Sequence, residues 1–353
     1  MNVHQNISII DRDQCTGCGA CAEACVLACI SMVYDSEGFT VPSVDISRCN
    51  FCGACLRACH ANIIMKGHSY KEAQCYIAHL RDYRMLRPSS SGGVFFALAR
   101  YIIEEKNGVV IGARWSDNLI VQHVPIDSID KIPILQGSKY IQSDTYSIFA
   151  QTKQVLDNGR WVLFSGTPCQ VAALYAFLKK EYERLITVDI ICHGVASPGF
   201  FERYKKETVN RYGPILSFYF RTRRKIGKSK CEFVVKRKFA SGKEQYVYYE
   251  NDVFLNMYLK GYIDRISCYS CKYASLERIS DITIGDCDCS EKYGNKFHNI
   301  SNSTVMLHTQ KAKDIWRHIS GGLVYDSLDI LLEANFNMQL TKPVSMPPKR
   351  IGI

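Results

Sequence analysis

The chain has no apolar run approaching the roughly 18 residues that carry a helix across a bilayer, so no helical membrane span is expected. Its first residues, Met1 to Asn6, lack the basic start and apolar stretch of a secretory signal, and a cytoplasmic protein is expected. It also lacks the short length of a secreted disulfide scaffold. With 17 cysteines in 353 residues, the thiols are better read as metal ligands kept reduced. Nor is the basic excess spread over the chain. Of the net charge of +10, ten basic residues against the single acid Glu232 fall between Arg221 and Lys243. The remainder is close to neutral, which speaks against a globally basic nucleic-acid binder.

Three regions differ in composition: residues 1–68, a connector at 69–88, and residues 89–353. The first contains an internal repeat. Cys15-x2-Cys18-x2-Cys21-x3-Cys25 returns as Cys49-x2-Cys52-x2-Cys55-x3-Cys59, with Gly19-Ala20 matched by Gly53-Ala54. Three thiolates at this spacing wrap one face of a cubane, and in two-cluster ferredoxins the fourth cysteine of each run serves the other cluster. The expected ligand sets are therefore Cys15, Cys18, Cys21 and Cys59 for one [4Fe–4S] cluster, and Cys49, Cys52, Cys55 and Cys25 for the other. Structural zinc more often uses paired C-x2-C units than triplets. The proline that usually follows the fourth cysteine is replaced by Val26 and His60; proline is not a ligand, so cluster binding is expected to survive. Cys29, four residues after Cys25, is read as a small buried residue, with a competing ligand as the alternative.

Beyond the connector, apolar periodicity alternates. Helices are expected at Val94–Glu104, from Ser165-Gly-Thr-Pro to about Tyr182, and over Gly199–Arg211. Strands are expected at Val109–Trp115, Leu119–Val124, Trp161–Phe164 and Leu185–Cys192. The segments Leu216–Arg223, Cys231–Phe239 and Gln245–Tyr249 read as a β-rich stretch turning at Ser241-Gly242. The fold class is α+β: a small bacterial-type ferredoxin domain plus a larger mixed α/β domain. The basic run 221–243 lies on the expected hairpin. It is either a lysine-protected edge or a dock for an acidic partner or anionic substrate.

Four loops stand out in the larger region. Ser89-Ser-Ser-Gly-Gly93 opens a helix, where free amides attract phosphate. Gln136-Gly-Ser-Lys-Tyr140 combines amide, cation and aromatic groups, and read alone it is a solvated turn. In Ser165-Gly-Thr-Pro-Cys-Gln170, Thr167 suits an N-cap and Pro168 the first helical position, which puts Cys169 in the first turn. Asp189-Ile-Ile-Cys-His-Gly194 places Cys192 at a strand end. Further on come Cys268-x2-Cys271 and Cys287-Asp288-Cys289. Spacing allows a zinc ribbon from these two pairs, or a third iron–sulfur cluster from Cys169, Cys192, Cys268 and Cys271.

Taken together, Ser90–Gly93, Gly137–Tyr140, Gly166–Gln170, Asp189–Gly194, Cys268-x2-Cys271 and Ser280–Asp286 resemble the beta subunit of coenzyme F420 hydrogenases and dehydrogenases, over roughly residues 70 to 310. Plant 7-hydroxymethyl chlorophyll a reductase looks like a relative. The resemblance implies a catalytic domain at 89–353 that binds FAD and a third [4Fe–4S] cluster on Cys169, Cys192, Cys268 and Cys271. It also implies flavin contacts at Ser90, Ser91, Gly92, Gly93, Gly137, Ser138, Lys139, Tyr140, Gly166, Thr167, Thr283, Gly285 and Asp286. The expected function is an iron–sulfur flavoprotein oxidoreductase. It would pass electrons from a ferredoxin-like donor through three clusters to FAD, and on to coenzyme F420 or another organic acceptor, with His193 as general acid. The alternative is a relay subunit that serves a hydrogenase or dehydrogenase partner and has no substrate of its own. One departure from the family pattern is Cys287-Asp288-Cys289, where many relatives carry aromatic residues; an extra metal or thiol site is the alternative reading there.

Overall fold

The computed structural model describes residues 5–226, 230–297, 301–348 and 350, with side chains left undescribed at 224–226 and 230–232. The N-terminal region is built on its repeat. Two single-turn helices, Ala20–Glu23 and Ala54–Arg57, each follow a left-handed glycine, Gly19 and Gly53. Between them strands β1 (Ile30–Tyr34) and β2 (Thr40–Val44) pair antiparallel, Ile30 opposite Val44. Their small core is made of Ile7, Ile30 and Leu56 together with Cys21, Cys29 and Cys55.

The larger region contains β3 (Gln74–Leu80), β4 (Val109–Trp115), β5 (Val121–Ile126), β6 (Val162–Gly166) and β7 (Leu185–Ile190). An insertion of β8 (Ile215–Ile226), β9 (Lys230–Phe239) and β10 (Glu244–Tyr248) follows, and then β11 (Ile282–Asp286), β12 (Ser303–Leu307) and β13 (Leu323–Ser327). Eight of these strands form one sheet in the order β13-β3-β12-β11-β7-β6-β4-β5, while β8 to β10 make a separate antiparallel sheet. The run β4, β6, β7, β11 is parallel, and antiparallel strands flank it on both sides.

Both faces of the parallel run are covered, so β4 and β6 carry buried apolar residues on both faces. Alternate residues divide between the two faces. Val110 and Leu163 pack with helices Val94–Glu104 and Gln310–Ile319, whereas Val109, Ile111, Val162 and Phe164 pack with helices Ile148–Asp157 and Pro168–Leu178. Ala20 and Cys18 join the second cluster, so the N-terminal region docks on that face.

Three expectations need correction. The segment 69–88 is not a mere connector: it contains β3, which sits between β12 and β13 inside the large sheet. Its polar Gln74 and His79 hide the strand pattern. Helix Pro168–Leu178 ends at Leu178 rather than near Tyr182, because Lys179 takes a left-handed conformation. The basic stretch is not a uniform charged edge either. Arg221 is ion-paired with Asp286, buried Arg237 with Asp252, and Lys236 with Glu244 at 2.8 Å. Residues 227–229, including Lys228, lie outside the described residues, as do the side chains of Arg224, Lys225 and Lys230.

Candidate functional site

The N-terminal cysteines are placed by the two glycine-led turns. Cys15, Cys18, Cys21 and Cys59 line a cavity of about 230 Å³ together with Thr16, Gly17 and His60. Burial pushes the Cys18 thiol up to about 12 and raises that of Cys21 as well, and the neighbouring thiols add to the rise. Thiols raised in this way stay protonated unless a cation offsets their charge, and a cubane's irons supply that cation. The donor set therefore fits an iron–sulfur cluster. Cys25 lies with the second group: it neighbours Cys55, and its Sγ is 3.3 Å from that of Cys29. Cys29 is buried, and Cys49 is also among its neighbours. Cys52 is exposed.

A second group of thiols gathers at the carboxyl ends of the parallel strands, the edge where open α/β sheets collect ligands. Thr167 and Gln170 form a reciprocal cap on helix Pro168–Leu178, and this cap sets Cys169 in the first turn just after β6. The Thr167 hydroxyl is 3.1 Å from the Cys169 Sγ. Cys192 follows β7 directly, and Cys268 and Cys271 flank the short turn after Ile266–Cys268. The four are mutual neighbours: Cys169 and Cys271 raise Cys192, and Cys192 and Cys169 raise Cys268. Burial is the larger cause in each case, and it takes Cys169 up to about 11. Here too the chemistry of the donors fits a cluster.

The zinc-ribbon grouping does not form. Cys287 and Cys289 sit in a different cluster, with Ile77, Phe297 and Leu328, and their nearest ligand-type neighbour is Glu333.

Several residues that sequence reasoning passed over join the two thiol groups. Tyr273 is buried and neighbours both groups, Cys18 and Cys59 of one and Cys169 and Cys271 of the other. Its hydroxyl is 2.8 Å from Nδ1 of His60, whose Nε2 is 2.9 Å from the Thr16 hydroxyl. Burial, with Lys272 nearby, pushes His60 down to about 3, so the ring bridges as a neutral group. Buried Arg265 donates from Nε to the Cys15 carbonyl at 2.7 Å and from its terminal nitrogens to Gln142 and the Thr40 carbonyl. Gln142 in turn donates to the Gly17 carbonyl at 3.0 Å. Gly17 has φ +65°, and a Cβ there would lie 2.3 Å from Gln142 Nε2, so this close approach needs glycine. Arg278 pairs with Asp189 at 3.1 Å and donates to the carbonyls of Tyr273 and Ile190, which ties the Cys271 loop to the strand leading into Cys192. No sequence motif marks Tyr273, Arg265, Gln142 or Arg278; only the fold brings them to the thiols.

The proposed flavin positions divide into two groups. Gly137 has open space before its Cα, and with Ser138, Trp115, Phe220 and Arg221 it lines a cleft of about 370 Å³. Ser138 is hydrogen-bonded to the Ser90 hydroxyl through its amide at 2.8 Å. The buried ammonium of Lys139 donates to the carbonyls of Leu135, Gln136 and Gly137, and burial pushes it down to about 7. Tyr140 stacks on Tyr258. The others are engaged within the protein. A Cβ on Gly92 would meet the Ala78 carbonyl, and one on Gly93 would meet Leu80. Ser91 donates to the Asn302 carbonyl, Thr283 is bonded to His308, Gly166 packs on Gln170, and Gly285 packs on Ile191. Among these positions, open space therefore lies at the cleft beside Gly137.

His193 adjoins the second thiol group. Its Nε2 is 3.8 Å from Asp264, its Nδ1 is 3.3 Å from Gln339 Nε2, and burial lowers its pKa.

Residues 159–326 match the family described as the C terminus of the beta subunit of coenzyme F420 hydrogenase/dehydrogenase, and residues 14–63 match a 4Fe-4S dicluster domain. No curated protein matches the chain. Among solved structures, it resembles a chain of the F420-reducing [NiFe] hydrogenase complex from Methanosarcina barkeri. The TM-score is 0.51 and the identity 19%, with 78% of this chain and 91% of that one covered; at that identity the likeness speaks for the fold.

Proposed function

Because residues 159–326 match the C terminus of the coenzyme F420 hydrogenase/dehydrogenase beta subunit and residues 14–63 a 4Fe-4S dicluster domain, we propose that the chain is an oxidoreductase with a fixed three-cluster path ending at a flavin. The observation that supports this most is that buried Tyr273 neighbours cysteines of both groups, Cys18 and Cys59 of one and Cys169 and Cys271 of the other. In this reading Cys49, Cys52, Cys55 and Cys25 hold the outer cluster, which takes electrons from a ferredoxin-like donor. Cys15, Cys18, Cys21 and Cys59 hold the middle one, and Cys169, Cys192, Cys268 and Cys271 the inner one.

In this reading the flavin site is the cleft of Gly137, Ser138 and Arg221, with Ser90 bonded to Ser138 behind it. FAD, when bound, supplies the exchange between single electrons and a hydride. The chain's own residues orient the acceptor and exclude water. His193, held between Asp264 and Gln339, is the residue placed to hold a proton for an organic acceptor such as a deazaflavin.

Anaerobic purification with counts of iron, sulfide and flavin tests the reading. About twelve irons, from three four-iron clusters, and one FAD are expected. About eight irons, with no flavin retained after reconstitution, would overturn it. A second reading, a relay subunit with no substrate of its own, draws on the likeness to a chain of a hydrogenase complex. It predicts stable co-purification with a large redox partner and no reduction of small acceptors by the chain alone.

A further inference from the structure

One cluster of metal-type ligands lies outside the electron path. Cys287 and Cys289 follow β11 as a C-x-C pair, and Glu333 projects toward them from the first turn of helix Ile330–Phe336. Among the described residues they form the one set of three or more Cys, His, Asp or Glu whose ligand atoms all lie within 4.8 Å of one another. All three are buried, and Glu333 is completely so. Its carboxylate accepts from the amides of Asp288 and Cys289, each at 3.0 Å, and from the Cys287 thiol at 3.6 Å. None of these described partners carries a positive charge. A second buried group points to the same gap in the charge balance. Apart from the Cys287 sulfur beside it, the buried Thr304 hydroxyl has no hydrogen-bond partner among the described residues, and a thiolate there would accept from it.

We propose that Cys287, Cys289 and Glu333 form a binding site for a thiophilic divalent cation, separate from the clusters. Tetrahedral zinc holds sulfur ligands at about 2.3 Å and carboxylate oxygens at about 2.0–2.2 Å, which sets donors roughly 3.3–3.8 Å apart. The three ligand atoms need to close by no more than about 1 Å to meet that spacing. On binding, each cysteine releases one proton to solvent, Glu333 coordinates as the carboxylate, and water completes the shell. The two amides that hold Glu333 orient it as outer-shell partners orient metal ligands. The Thr304 hydroxyl then donates to the Cys287 thiolate. The site would pin helix Ile330–Phe336 to the end of β11 and so set the backbone of Asp286, whose carbonyl accepts from Asn337 on that C-terminal segment.

The test uses the full chain, reconstituted anaerobically to constant iron and sulfide, given one equivalent of Zn2+ and passed through a desalting column. One zinc per chain is expected in the parent, less than a tenth of that in Cys287→Ser/Cys289→Ser, and a clear reduction in Glu333→Gln, with iron and sulfide unchanged in all three. If a variant fails to fold, alkylation of the parent decides the matter: zinc is expected to protect Cys287 and Cys289 at least tenfold by mass spectrometry, and a chelator to abolish the protection. No zinc retained by the parent, zinc retained equally by the double variant, or alkylation indifferent to zinc would each overturn the proposal. None of these outcomes depends on FAD or on turnover.

Discussion

Arg278→Met is the most demanding test of how the inner thiols are held. Arg278 and Asp189 are both fully buried, 3.1 Å apart. Among the described residues neither Asp189 oxygen has a hydrogen-bond partner, so the guanidinium is its main compensation. Removing one partner of such a pair leaves a bare buried charge and costs about 3–5 kcal/mol, whereas replacing both with apolar groups is often neutral. The upper end of that range is expected here, because Arg278 also donates to the Tyr273 carbonyl at 2.9 Å and the Ile190 carbonyl at 3.1 Å. Those bonds join the segments bearing Cys271 and Cys192, so the variant is expected to lose inner-cluster iron as well as stability. The assay is anaerobic urea unfolding followed by far-UV dichroism and cluster absorbance, with an iron count on the folded fraction. Arg278→Met is expected to unfold at a clearly lower midpoint and to lose about four irons. Arg278→Met/Asp189→Leu is expected to recover most of the stability. A single variant within about 1 kcal/mol of the parent, or a double variant no better than the single, would refute the reasoning.

Two further outcomes follow from the same geometry. Arg265→Met removes hydrogen bonds to the Cys15 and Thr40 carbonyls and the Cys15 sulfur; the middle cluster is expected to shift to a more negative potential in an EPR-monitored titration, and cleavage between the two regions by limited proteolysis is expected to speed up. Lys139 has its folded pKa depressed to about 7 by burial, so between pH 7 and its unfolded value near 10.4 the unfolded chain binds more protons, and stability rises with pH. Relative to Lys139→Met, the parent is expected to gain stability from pH 7 to 9 in flavin-free unfolding curves; parallel curves would refute this.

Much of the frame was legible because it rests on local signals. The double cysteine run marks the N-terminal region. Strand β4 occupies Val109–Trp115 as apolar periodicity predicts, and helix Pro198–Tyr212 lies close to the expected Gly199–Arg211. Strand β7 stops at Ile190, short of the predicted Cys192: the Ile191 amide still donates to the Ile284 carbonyl of β11, and Cys192 lies just beyond that last bond. Strand β3 was hidden since its neighbours, β12 and β13, lie more than 200 residues further along the chain. The site splits in the same way. Cysteines announce themselves through spacing, but Tyr273, Arg265, Arg278 and Glu333 act through contacts across the fold that no window of sequence contains. The glycines show the opposite error: Gly92 and Gly93 look like a phosphate loop, yet the space a Cβ would need is filled by β3 itself.

The place of β3 bears on how the N-terminal region can behave. It begins at Gln74, only fifteen residues after Cys59, and it is locked between two strands of the main sheet. Arg265 clamps the region through the Cys15 carbonyl, and the Arg350–Glu37 ion pair holds it as well. A swinging carrier that ferries charge between distant stations needs slack and a weak seat, and this region has neither. It is a soldered terminal, so traffic through it is set by distances frozen at folding. On the proposed electron path, a redox partner must come to the outer cysteines rather than wait to be visited. For anyone transplanting the circuit, the place to cut lies before Gln74; a cut at residue 88 would take an interior strand out of the sheet along with the terminal.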